Sequence, residues 1–180
     1  MRAQATLRER ERRFRELLDA LPAAVYTTDA AGRITYYNDA AASLWGHRPT
    51  LGSSEWCGSW KLFWPDGTPL PHDECPMAVA LKEDRAVRGT EAAAERPDGT
   101  RVPFIPYPTP IHDETGKLVG AVNMLVDITD RKRAEEKYRT LISNVQEGVF
   151  ISTPPGRFLD FNDALMRMLG YEHRDELMSV

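Results

Sequence analysis

Residues 3–21 follow the hydrophobic and polar period of an amphipathic α-helix. The apolar stripe consists of Leu7, Phe14 and Leu21, seven residues apart, with Leu17 and Leu18 beside them. Pro22 ends the pattern, and the same design returns at 131–145. The charged positions fit a solvated helix face, and the stripe also fits the seam of a parallel coiled coil. We predict a homodimer whose seam contains Leu7, Phe14 and Leu21.

Turn residues divide the first half of the region between these two predicted helices into short elements. Val25–Thr28 and Arg33–Tyr37 flank a turn that ends in Gly32, which predicts a β-hairpin. Asn38–Trp45 is typical of a short helix that Asn38 caps and Gly46 stops.

The second half of the region between the two long helices predicts a helix and three more strands. The helix covers Pro76–Asp84, a hairpin pairs Arg88–Arg96 with Thr100–Tyr107, and Leu118–Ile128 is a strongly apolar strand. Three prolines share one parity, at Pro106, Pro108 and Pro110. Because a central strand cannot easily lose three N–H donors on one side, we expect the regular ladder to end near Tyr107. The rest should leave the sheet or form an open edge.

A long internal repeat sets the domain organisation. Glu11–His47 aligns without a gap with Glu135–Tyr171, at an offset of 124 residues. A period of this length is a whole domain, longer than a solenoid repeat. The sequence therefore predicts an N-terminal helix at 1–21, a domain at 22–129, a linking helix at 130–146 and an incomplete second domain at 147–180. We expect the chain to be a piece of a longer tandem protein.

Composition and charge narrow the class of protein. The net charge of −4 and the pI near 5.6 argue against a nucleic-acid partner, which needs a basic surface. Two cysteines are too few for a secreted disulfide scaffold, and no apolar run is long enough to cross a bilayer. We expect a cytoplasmic protein with no membrane span in this stretch. The sequence contains no phosphate-binding Gly-rich loop, nucleophile elbow or HExxH pair, so we predict no catalytic residues and no enzyme activity within this span, and we expect any kinase or cyclase activity in an output domain beyond Val180.

The tryptophan-rich segment is the candidate for ligand binding. All four tryptophans lie within Trp45–Trp64, and Trp60, Leu62 and Trp64 alternate along a predicted strand. This pattern fits core or dimer packing, and it also fits a pocket for a flat apolar ligand. The pocket candidates are Trp56, Trp60, Leu62, Trp64 and Met77.

A weaker candidate is a metal or haem site. His72 and Cys75 have the spacing of a ligand pair, and Cys57 lies nearby in the sequence. The same residues also fit the entrance of a helix, with Pro76 in the first turn. A metal site therefore stays a secondary hypothesis.

Three segments carry a resemblance to a known family. FRELLDALPAAVYTTDAAGRITYYNDAAASLWG, ERPDGTRVPF and GAVNMLVDITDRKRAEEKYRTL resemble, in this order, the opening, the second hairpin and the end of a PAS domain. The resemblance covers about 14–130 and resumes at 138–180. It implies an α+β fold, a five-stranded antiparallel sheet with helices on one face. Asp127, Ile128 and Thr129 match the joint between the last strand and the signalling helix, where Thr129 or Asp130 can cap the helix.

The resemblance also implies a function. PAS modules sense ligands, redox state or light, pair into dimers, and act on an output domain of the same chain. We therefore predict a sensory and dimerising module of a signal-transduction protein, with a sensor histidine kinase as its context and a small molecule as its ligand. The alternatives are a ligand-free interaction scaffold and a haem- or metal-binding sensor. The segment around Cys57 does not match the cysteine motif of the flavin-binding photoreceptors, so the sequence does not predict flavin photochemistry.

Overall fold

The computed structural model describes residues 2–178, and all side chains in this range except those of residues 2–8 and 11. The chain forms two compact units, Met1–Thr129 (unit 1) and Asp130–Val180 (unit 2). Among the described residues, no helix is both long enough and apolar enough to cross a membrane.

Three α-helices belong to the described part of unit 1. They are α1 (Arg2–Asp19), α2 (Asp39–Trp45) and α3 (Pro76–Lys82), and a 3-10 turn at His72–Glu74 leads into α3. The predicted ends of α2 are confirmed. Asn38 Oδ1 accepts from the backbone N of Ala41 at 3.0 Å, and Gly46 has the left-handed φ of 74° that closes the helix.

Among the described residues of unit 1, eight strands form one antiparallel sheet. They are β1 (Ala24–Asp29), β2 (Ile34–Tyr37), β3 (Lys61–Phe63), β4 (Pro69–Leu70), β5 (Ala92–Glu95), β6 (Arg101–Pro106), β7 (Thr109–His112) and β8 (Leu118–Asp127). Their order is β2-β1-β8-β6-β5-β3-β4, and β7 pairs with β8 next to β6. With β6 and β7 taken as one interrupted strand, the predicted five-stranded sheet is confirmed, and the hairpin β3–β4 extends its edge.

The proline-rich strand corrects one prediction. The ladder does not end at Tyr107, because β6 and β7 pair with β8 in one register, with Pro106 opposite Leu125 and Thr109 opposite Val122. Tyr107 donates its N–H to Met124 O, so the backbone N–H groups of the odd-numbered residues point toward β8. The prolines occupy the even positions, whose missing donors face away from β8. The expected open edge is present on the side of β7 that faces away from β8, where β7 has no partner strand among the described residues and Val87 N donates to Pro108 O.

The core of unit 1 lies on one face of the sheet. Buried residues of α2 and α3, such as Trp45 and Met77, pack against the inward-facing residues of the strands, such as Tyr26, Phe104 and Leu125. The predicted arrangement of an antiparallel sheet with helices on one face is thus confirmed.

Unit 2 repeats the opening of unit 1. It contains α4 (Thr129–Asn144), β9 (Phe150–Ser152), β10 (Phe158–Phe161), α5 (Asp163–Leu169) and α6 (Arg174–Met178), and α4 begins at the last residue of unit 1. β9 and β10 form a two-stranded antiparallel sheet. A small core of Phe161, Leu165 and Leu177 holds the unit together.

Candidate functional site

Unit 1 encloses a cavity between the sheet and its helices. The cavity has a volume of about 10 Å³. This is room for about one water. Tyr26 and Asn123 contribute from the strands, Trp45 from α2 and Met77 from α3.

A buried polar network lies in the strand wall of this cavity, where Tyr26 of β1 is paired with Asn123 of β8. Tyr26 donates its hydroxyl to Trp56 O at 2.9 Å, and it accepts from Asn123 Nδ2 at 3.1 Å. Asn123 Oδ1 in turn accepts from Tyr107 N at 2.9 Å. Burial raises the pKa of Tyr26 well above its ordinary value, so the hydroxyl stays neutral. The network fixes β8 relative to β1, to the loop at Trp56 and to the break between β6 and β7.

Two further polar groups of the lining residues are unpaired. Trp45 Nε1 and Ser59 Oγ are buried, and neither has a hydrogen-bond partner among the described residues. An unpaired buried polar group costs roughly 1–3 kcal/mol. The residues that line the cavity therefore carry hydrogen-bonding capacity that the described part of the chain does not use.

Trp56 takes part through its backbone and not through its ring. Its φ of 64° is in the left-handed region, which is unusual for a bulky residue. The ring packs on Gly32, where an added Cβ would lie 2.5 Å from it, and Lys82 Nζ lies 5.3 Å from the ring centroid. The strained conformation turns the carbonyl of Trp56 toward the hydroxyl of Tyr26.

The pocket residues expected from the sequence divide into two groups. Leu62 and Met77 line the cavity. Trp60 is 59% exposed, while Trp56 and Trp64 pack at the margin of the core, and none of these three lines the cavity. β3 covers only Lys61–Phe63, so Trp60 precedes the strand and the expected alternation does not extend to it.

Sequence reasoning missed the three residues that define the cavity, Tyr26, Trp45 and Asn123. One signal was present for Asn123, a polar residue within the most apolar strand. The period of two places it on the same face as Ala121 and Leu125, which are both buried. A polar residue on a core-facing position needs a buried partner, and here the partner is Tyr26.

The metal candidates do not form a site. Cys57 and Cys75 line the cavity, whereas a ring nitrogen of His72 lies 2.9 Å from Ser59 O. Burial raises the pKa of both thiols, that of Cys75 to about 12, which disfavours the thiolate that a metal needs. No group of three His, Cys, Asp or Glu side chains in the described part of the chain could hold a metal. A haem is much larger than this cavity and does not fit it in this conformation.

The candidate relay residues lie where β8 runs into α4. Ile128 is buried and donates its N–H to Pro103 O at 3.0 Å. Asp127 Oδ1 accepts from the N–H of Thr129 at 2.8 Å, a contact that the sequence reasoning did not include. The side chain of Asp127 thus satisfies an N–H at the start of α4.

The candidate dimer seam is partly described. Phe14 on α1 is 60% exposed, as a seam without its partner would be. Leu21 is 44% exposed but lies two residues beyond the end of α1 at Asp19, so the helix is shorter than the predicted stripe. The side chain of Leu7 lies outside the described residues. The seam therefore stays a prediction.

Comparison with known families agrees with this architecture. A family model described as "PAS fold" matches residues 18–133, and one described as "PAS domain" matches residues 136–180. The chain belongs to the PAS family. No curated protein matches the chain.

Solved structures show the same fold at low sequence identity. The PAS domain of an HTR-like protein from Haloarcula marismortui has a TM-score of 0.52 at 20% identity, covering 71% of this chain and 98% of that one. The PAS domain of the fruit-fly ELK potassium channel has a TM-score of 0.52 at 18% identity, covering 64% and 94%. An RNA-binding Light-Oxygen-Voltage receptor has a TM-score of 0.52 at 17% identity, covering 71% and 36%. At these identities the likeness concerns the fold alone.

Proposed function

We propose that this chain is a sensory and dimerising part of a multidomain signal-transduction protein. In this function the cavity of unit 1 takes up a small molecule, and β8 carries the resulting change into α4. The output would be another domain of the same chain, and we propose a sensor histidine kinase. The PAS family and the presence of two PAS matches in tandem support this context.

The observation that carries the proposal is the path from the cavity to α4. Asn123 contacts Tyr26 in the cavity wall, and the same strand reaches Asp127 four residues later. Asp127 then bonds the N–H of the first residue of α4. A change in the hydroxyl network of Tyr26 and Asn123 would therefore displace β8, and β8 continues directly into the helix.

A cavity-filling substitution tests this relay without requiring the ligand. Ala92 lines the cavity from β5, so Ala92→Leu introduces three carbons into a space for about one water. We expect hydrogen exchange at 123–133 to change severalfold, because β8 must shift to accommodate them. Ala93→Leu, on the opposite face of the same strand, is the matched control. Equal exchange at 123–133 in both variants and the wild type would refute the relay.

One observation favours a second function, a ligand-free scaffold that only joins neighbouring modules. The cavity is small, and a ligand larger than water must widen it. In a scaffold, Ala92→Leu leaves α4 unchanged, whereas disruption of the exposed seam with Phe14→Glu and Leu21→Glu abolishes the function. The seam variant abolishes both functions, so the effect of Ala92→Leu on α4 is the result that distinguishes the sensor from the scaffold.

A further inference from the structure

We infer that the cavity of unit 1 selects a neutral, compact and largely apolar molecule that carries one hydrogen-bond acceptor for the indole N–H of Trp45. The inference rests on the proposed sensory function and adds the chemical class of the ligand. Three properties of the lining carry it: its charge, its unused hydrogen-bonding groups and its shape.

The cavity offers no counter-ion. None of the described residues that line it is an acid, lysine, arginine or histidine. Its three acidic hydroxyl and thiol groups, Tyr26, Cys57 and Cys75, are held neutral because burial raises the pKa of each. A charged ligand would lose its hydration without gaining a partner of opposite charge. The cavity therefore rejects carboxylates and amines.

The unused groups require an acceptor on the ligand. Tyr26 and Asn123 already bond each other, Trp56 O and Tyr107 N. Trp45 Nε1 is a donor only, and Ser59 Oγ can donate or accept. Both are buried without a partner in the described part of the chain. A carbonyl or ether oxygen on the ligand can accept from the indole N–H of Trp45, whereas a pure hydrocarbon cannot.

The shape limits the size of the ligand. The walls are mostly apolar, with Phe104, Leu62 and Met77 around a space for about one water. Met77 is fully buried, and its unbranched thioether can change rotamer more readily than a branched side chain can. We take a single ring as the largest ligand that a movement of this side chain would admit, since a tricyclic flavin and a haem are far larger than the cavity.

A fragment titration of the whole chain tests the inference. The probes are cyclohexanone, which is neutral and has one acceptor, and cyclohexanecarboxylate, which has the same ring and a charge. The readouts are the indole N–H resonance of Trp45, assigned by its loss in Trp45→Phe, and the side-chain amide resonance of Asn123. At equal millimolar concentrations, cyclohexanone should shift both resonances saturably, and the carboxylate should shift neither. Millimolar affinity is reasonable for so small a ligand.

Two variants isolate the acceptor contact. Trp45→Phe keeps an aromatic ring but removes the donor, and it should weaken cyclohexanone binding about fivefold to tenfold at the Asn123 resonance, the loss of one buried hydrogen bond. Ser59→Ala removes a buried hydroxyl that has no partner among the described residues, changes the side-chain volume little, and should weaken binding less. It remains a valid test if Trp45→Phe does not fold.

Several results would overturn the inference. These are equal binding of the carboxylate, saturable shifts confined to the exposed Trp60, or no shift at all. Failure of the ligand class is separable from failure of the proposed function. If Ala92→Leu changes exchange in α4 but cyclohexanone does not bind, only the ligand class is wrong. If cyclohexanone binds and Ala92→Leu has no effect on α4, the relay is wrong.

Discussion

Units 1 and 2 are built around the same asparagine, at Asn38 and Asn162. Asn38 Oδ1 accepts from Val25 N and Ala41 N, and its Nδ2 donates to Leu18 O and Ala23 O. In unit 2 each of these contacts recurs 124 residues later. Asn162 Oδ1 accepts from Val149 N and Leu165 N, and Nδ2 donates to Ile142 O and Glu147 O.

What surrounds this asparagine differs between the units. In unit 1, β1 pairs with β8 across six residues, and the sheet buries a large core. In unit 2, β9 pairs only with β10 among the described residues, and Phe150, Ile151 and Leu159 are exposed. The helix–hairpin–helix motif thus forms from local contacts in both units, whereas a closed core depends on a strand distant in sequence.

The largest expected difference is in stability. Amides of β1 and β8 should exchange only through global opening of unit 1, for which roughly 5–15 kcal/mol is typical of a domain. Amides after Val149 should exchange quickly, because a two-stranded sheet is marginal alone. Hydrogen exchange of the 180-residue chain at low concentration measures both. Comparable protection in the two units would show that unit 2 does not need further strands.

The next comparison concerns the two long helices as dimer seams. Phe14→Glu with Leu21→Glu should shift a homodimer to monomers, because burying each apolar side chain is worth about 1.5–3 kcal/mol. The equivalent pair in unit 2 is Tyr138→Glu on α4 with Val145→Glu just after its end, and it tests whether this segment contributes equally. Sedimentation velocity gives the oligomeric state. A wild-type chain that remains monomeric at high micromolar concentration argues against both seams.

Substitution of either asparagine should have a smaller effect on stability. Asn38→Ala leaves two buried N–H groups and two carbonyls without their partner, and should destabilise unit 1 by about 3 kcal/mol. Asn162→Ala removes the same contacts from unit 2 and should leave the urea midpoint of unit 1 unchanged. If both variants lower that midpoint equally, the two units unfold together.

The smallest effect concerns the start of α4. Asp127→Ala removes the bond to Thr129 N and should destabilise the first turn of α4 by about 0.5–2 kcal/mol, seen as faster exchange of its amides. Asp127→Asn keeps an acceptor and serves as the control. In the full-length protein, Asp127→Ala with Thr129→Ala should leave unit 1 folded but make the output insensitive to the stimulus, since couplings are usually about 1–3 kcal/mol. Normal regulation in that variant would show that the signal leaves by another route.

Local signals explain why some elements were predictable. The cap at Asn38 and the stop at Gly46 involve contacts within four residues, and both are as the sequence predicted. The polar network of the cavity was not predictable, because Tyr26 and Asn123 are 97 residues apart in sequence. The exposure of Trp60 was not predictable either, because it depends on where β3 begins, and the pairing of β3 with β5 sets that position.

The proline-rich strand shows both what the sequence determines and what only the assembled sheet decides. The even spacing of Pro106, Pro108 and Pro110 shows from the sequence alone that the missing N–H donors lie on one side of the strand. The sequence also determines the apolar helix stripe, the capped helix and the repeat at an offset of 124 residues. Which side faces β8 is decided only when the sheet assembles, and Tyr107 N bonding Met124 O decides it. The same assembly creates the cavity, because burial and unpaired donors arise from residues far apart in the chain. Short-range hydrogen bonds and periodicity are encoded within a few residues, whereas a core requires distant strands to meet.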